Sequence, residues 1–265
     1  MTIERAKDDF RVGLMFALAC VAFLIAPLAS ATTEADVVAG SKQMILVITP
    51  YWNTSRANLR RFARQDGEWQ ALQAAVPVVI GKSGSAWGLG LHSPQPGQQK
   101  REGDGRAPAG IFAIGPAFGY APTLSTALEY QAMTAQDYCI DVSDSPLYNQ
   151  IVDSGKVGEK AITGSTEPMR RDLHAEGDQR YKLGFVIQHN ARQKPAGGSC
   201  IFAHLWKNAD STTAGCTAMS ESVMRELLGW LDTAQHPLFV LLPRDEYERL
   251  REAWQLPLFE DAGAH

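Results

Sequence analysis

The chain reads as a mostly β (α+β) protein, a single β-rich domain with a short helix near its C-terminal end. Three observations predict this. Short β-branched and apolar runs recur along the chain between clusters of Gly, Pro, Asp and Ser. Helical periodicity is confined to two late segments, and no repeat or low-complexity linker breaks the stretch from about residue 41 to 258.

Taken in order, residues 1–31 have the form of a secretory signal. Arg5, Lys7 and Arg11 precede an apolar run over 12–28, and Ala29-Ser30-Ala31 offers a small-residue cleavage site. The run is long enough to serve instead as a retained membrane anchor, whereas a lipoprotein site at Cys20 fits less well because the apolar run continues past it. Polar residues 32–43 read as a short spacer, and the domain proper as 44–258. Residues 44–49 (MILVIT), bounded by Pro50, read as a buried strand. The same signature returns at 76–80, 110–114, 138–142, 184–189, 200–205 and 238–242. Residues 93–109, dense in Gly, Pro and charge, read as an exposed loop of the length that often carries function. Ser220 caps an amphipathic helix with Val223, Met224, Leu227, Leu228 and Leu231 on one face. A second helix is expected over 244–254, after Pro243.

Composition narrows the function. With 45% hydrophobic and 20% charged residues the 265-residue chain can bury an ordinary core, and its net charge of -4 supplies no basic field for nucleic acid. Of four cysteines, Cys20 lies in the leader, so an exported chain holds Cys139, Cys200 and Cys216. An odd number in an oxidising compartment leaves a thiol over. Cys139 and Cys200 fall in predicted strands and are either a disulfide or two small core residues. His189, Cys200, His204 and Cys216 could all ligate zinc, yet no pair has the usual ligand spacing, so no metal and no cofactor are expected.

The chemistry concentrates at residues 198–219. A strand delivers His204, a polar loop turns the chain, and Gly215 sets Cys216 just ahead of the helix. A thiol beside an imidazole and helix-terminal amides is the arrangement of an activated nucleophile, and it predicts a thiol largely ionised near neutrality. His189 and Asn190 end a strand that could line the site, and Trp206 follows the candidate base in a polar loop.

His204 followed by Thr213-x-Gly215-Cys216 resembles the catalytic signature of the L,D-transpeptidase (YkuD-type) family. Residues 100–112 (KREGDGRAPAGIF), 117–120 (AFGY), 139–141 (CID), Tyr148-Asn149 and His189-Asn190 ahead of Gly198-Ser199 agree with it. The resemblance runs from about residue 44 to the end. It implies a cysteine thioacyl-enzyme on peptidoglycan stem tetrapeptides, formed in a periplasmic or cell-envelope setting for cell-wall cross-linking or remodelling. His204 is then the base, the Leu205 carbonyl orients its ring, and amides near Gly215 and Cys216 hold the oxyanion. Thr213, Trp206, His189 and Asn190 are the candidate substrate contacts. Ala214 stands where many members carry a second histidine. A carboxypeptidase or endopeptidase of the same fold, or a non-catalytic wall-binding module, is therefore the alternative.

Overall fold

The structure is a computed structural model that describes Thr2 and residues 32–260, so the leader and its cleavage site lie outside the described residues. Among the described residues no helix is long and apolar enough to cross a membrane.

Residues 32–43 are folded rather than a spacer. Thr33 and Asp36 form a reciprocal capping box on helix α1 (Glu34–Ala39), whose Val38 is fully buried, and Glu34 accepts the Ser93 amide. The capping signal is local and short; the buried contact that makes the helix worthwhile is not visible in sequence.

The main sheet contains the all-apolar strand β1 (Gln43–Thr49), the long hairpin of β2 (Arg56–Gln65) and β3 (Glu68–Ala71), β4 (Val76–Val79), β5 (Ser85–Trp87), β6 (Ala107–Gly119) and β7 (Tyr130–Ala132). A separate three-stranded sheet joins β8 (Asp137–Cys139), β9 (Ile151–Asp153) and β10 (Glu167–Pro168). Around it lie the short helices α2 (Ser154–Val157) and α3 (Arg171–His174). The main sheet resumes with β11 (Leu183–Ile187), β12 (Phe202–Leu205), β13 (Thr217–Met219) and β14 (Leu238–Pro243). Helix α4 (Glu221–Trp230) lies between the last two, and α5 (Arg244–Leu250) follows. The order β1-β14-β6-β11-β12-β13-β4-β2, with β2 pairing back to β1, closes the sheet into a barrel, which removes its edges.

Each expected apolar run overlaps a strand, although 138–142 does so only at Tyr138 and Cys139 and 200–205 only from Phe202, and Ser220 caps α4 by accepting the Val223 amide. Three expectations change. The helix expected over 244–254 ends at Leu250. The loop before β6 is not wholly exposed, since Lys100 and Gly105 are buried within it. Finally, a strand, β13, stands between Cys216 and α4, so Cys216 does not open the helix.

Strand β12 separates two apolar clusters. Ala203 and Leu205 join the barrel core with β1, β14 and the buried face of α4. Phe202 joins a second cluster with Phe118, Met133, Cys139, Met169, Tyr181, Cys200 and Cys216. Residues 133–181, including the small sheet, thus cover the second face. The cover is stapled to the approach to β12 by a Cys139–Cys200 disulfide, Cα–Cα 5.9 Å, which settles the choice left open by the sequence.

That bond closes a 61-residue separation, for which loop entropy gives about 4 kcal/mol as an upper range. The Cys139→Ser, Cys200→Ser double variant should therefore unfold at lower guanidinium concentration and with a steeper slope, because the unfolded chain without the cross-link exposes more surface. An unchanged midpoint would show that the cover holds without its staple.

Candidate active site

His204 and Cys216 are brought to one patch by parallel pairing of β12 with β13, in which Ala203 faces Thr217 and His204 faces Ala218. Cys216, one residue before β13, lies beside Phe202, whose amide donates to its Sγ at 3.3 Å. Both residues are buried: His204 is 3% exposed and Cys216 8%.

The His204 ring is fixed from behind. Nδ1 lies 2.8 Å from the Leu205 carbonyl, and a carbonyl accepts only, so the neutral imidazole carries its proton on Nδ1 and leaves Nε2 as the basic nitrogen. Tyr181 packs edge-on against the ring, centroids 5.2 Å apart. Burial pulls the imidazole down to about 4; the Leu205 hydrogen bond opposes this, while the Arg180 and Arg171 charges add to it.

The thiol is held in the protonated form, contrary to the sequence expectation of a thiolate. Burial, followed by the nearby Glu167 carboxylate, pushes Cys216 up to about 12, against the weaker opposing effects of the Phe202 amide, Lys100 and Arg180. The S–H donates to the Cys200 carbonyl at 3.4 Å. Among the described residues no hydrogen bond joins His204 to Cys216. The resting pair is a neutral thiol and a neutral imidazole.

Glu167 and Tyr181, unmarked in the sequence, are central here. Tyr181 donates to Glu167 at 2.7 Å and Arg171 to the same oxygen at 3.1 Å. Burial raises the Glu167 carboxyl despite these two donors. Arg171 and Arg180 both pair with Asp178, which places a tight charged cluster beside the imidazole. No local pattern singles these residues out; tertiary packing alone brings them to the site.

The turn before Cys216 is built from its own side chains. Thr213 Oγ1 accepts the Gly215 amide at 3.1 Å and donates to the Cys216 carbonyl at 2.6 Å. Its backbone is tied to Ile80 and Lys82. Thr213 is thus a turn clamp rather than an open substrate contact. Gly215 is needed for space: a Cβ there would sit 2.9 Å from the Arg106 carbonyl. Of the two amides implied as oxyanion donors, that of Gly215 is taken by Thr213, whereas that of Cys216 donates to no acceptor among the described residues.

His189 and Asn190 face the loop that carries Cys200. His189 donates from Nε2 to the Gly197 carbonyl at 2.9 Å and accepts the Leu89 amide at Nδ1; burial pulls it down to about 4. Asn190 bonds the carbonyls of Lys194 and Gly198, and Asn149 links those of His189 and Asn190 to the Cys200 amide. Cys200 is thereby held at φ +55°, a left-handed conformation that aims its carbonyl at the thiol. These residues position Cys200, the neighbour of Cys216.

Two clefts flank the buried pair, and neither is lined by Cys216 or His204. One, about 290 Å³, runs past Phe118, Val186 and Phe202. The other, about 530 Å³, is lined by residues 175–180, Leu205, Trp206, Lys207 and Glu221, which places Trp206 in a cleft wall that His204 does not line. Ala214 is exposed. No family model matches the chain, and no curated protein does so either.

Two pH effects follow. Iodoacetamide should modify native Cys216 slowly at pH 7, with the rate rising roughly tenfold per pH unit up to pH 9; a plateau near neutrality, read by mass spectrometry, would contradict the buried-thiol assignment. His204 and His189 both have lowered folded values, so their contribution to stability is complete above about 6.5 and is lost as the pH falls towards about 4. The urea midpoint should drop across that window, and less steeply in His189→Gln.

Proposed function

We propose that the chain is an exported cysteine acyltransferase of the L,D-transpeptidase type acting on peptidoglycan stem tetrapeptides. The observation that carries this reading is the set of His204, held by the Leu205 carbonyl with Nε2 free, beside a buried cysteine whose own amide is open. The Cys139–Cys200 disulfide supports export, because such bonds persist in oxidising compartments.

In the first half-reaction the Cys216 Sγ attacks the donor carbonyl carbon as its proton passes to His204 Nε2. The Cys216 amide holds the oxyanion. Collapse of the tetrahedral intermediate breaks the peptide bond, and the imidazolium returns its proton to the departing amine of the terminal residue. An acceptor amine, or water, then attacks the thioester while giving its proton to His204, and the thiol is restored. Since Cys216 is buried in one apolar cluster with Met133, Met169 and Tyr181, the donor must part this cover to reach the sulfur.

The same seal, with the thiol proton committed to Cys200, favours a second reading: a non-catalytic wall-binding module. Purified muropeptides incubated with the protein separate the two. Loss of terminal D-Ala or formation of new cross-links by the parental chain, abolished in Cys216→Ser and in His204→Ala, is expected. Unchanged peptides with measurable binding favour the module, and parental turnover by Cys216→Ser would place the chemistry elsewhere.

A further inference from the structure

The cleft of about 290 Å³ lies over the sheet formed by β7, β6, β11 and β12, and is walled by Cys139 and residues 149–151 of the cover. Phe202 connects it to the nucleophile: its side chain lines the cleft and its amide touches Cys216 Sγ. The lining contains no ionised side chain. Phe118, Val186 and Phe202 supply apolar surface, and Gln131, Gln150 and Gln188 supply carboxamides. His189, also in the wall, is kept neutral by burial and by its bonds to Gly197 and Leu89. Among the described residues the carboxamides of Gln131 and Gln188 have no hydrogen-bond partner, so donors and acceptors stand ready for a ligand. Lys100 and Asp104, an ion pair, lie near His189 but do not line this cleft, whereas Glu176, Asp178, Arg180, Lys207 and Glu221 line the cleft that Leu205 of β12 faces.

We infer that the uncharged cleft is the subsite for a neutral stretch of the acyl-donor peptide, taking backbone amides, carboxamides and short apolar side chains and rejecting ionised carboxylates. The inference rests on the acyl-transfer reading above. Its physical basis is desolvation: a carboxylate moved into a site without a cation loses hydration that dipoles alone replace poorly, whereas an amide exchanges water for the three glutamines at little loss. A peptide seated there has its reacting carbonyl directed along Phe202 towards Cys216.

The test is equilibrium binding by calorimetry to the full chain carrying Cys216→Ala, which stops turnover. The probes are a stem tetrapeptide with free carboxylates and the same peptide with its carboxylates converted to carboxamides. The carboxamide form should bind at least about tenfold tighter. Val186→Lys, and separately Gln150→Lys at the half-buried rim should the first not fold, should each move the ratio about tenfold towards the free acid. Equal affinity, tighter binding of the free acid, binding of neither form, or a ratio unmoved by both lysines would overturn the inference. Turnover without the preference would leave the acyltransferase reading standing, and the preference without turnover by the parental chain would remove that reading while keeping the subsite.

Discussion

Parallel pairing of β12 with β13 is the constraint on which the rest of the site depends. Parallel neighbours need a crossover, and residues 206–216 provide one that leaves β12 at Leu205 and returns through Thr213 and Gly215. Because the strands run in the same direction, the start of β13 lies beside the middle of β12, and Cys216 comes to rest at Phe202 with His204 one pleat further on. The Thr213 clamp and the missing Cβ of Gly215 let the crossover pass close to the Arg106 carbonyl, so the loop that ends at Arg106 is part of the support of Cys216.

How much of this was legible depended on the range of the interaction. Apolar runs such as 44–49 and 238–242 declared buried strands because both faces are covered. The β2–β3 hairpin went unread even though Asp66-Gly67, both at positive φ, is the turn that selects it. Arg60, Arg61 and Arg64 blurred the alternation by setting their guanidinium groups over Phe62, Trp230 and Trp69. At the site, the His204–Leu205 contact is local and was anticipated through family resemblance. The ionisation state of Cys216 was misjudged because it is set by burial among residues remote in sequence and then by the Glu167 carboxylate, and because a strand displaced the helix whose amides were expected to lower it.

The three cysteines of the described domain share one apolar cluster, yet they are chemically distinct. Cys200 has its sulfur engaged with Cys139 and offers Cys216 its carbonyl instead. A thiol kept protonated and covered resists both oxidation and disulfide exchange, which begin from the thiolate. In an oxidising setting the seal over Cys216 thus preserves the one reduced sulfur.

The desolvation that silences the resting pair also determines what awakens it. Removing water disfavours a lone thiolate and a lone imidazolium alike, but a thiolate next to an imidazolium is a net neutral pair, and in a dry site their attraction is stronger than in water. A donor carbonyl placed at Cys216 offers the negative charge a further destination, the oxyanion, where the open Cys216 amide meets it. Proton transfer to His204 Nε2 and carbon–sulfur bond formation are therefore favoured together and disfavoured separately. Under the proposed acyl transfer the nucleophile would be generated where and when the electrophile is present, and a buried neutral pair is compatible with that proposal as its resting state.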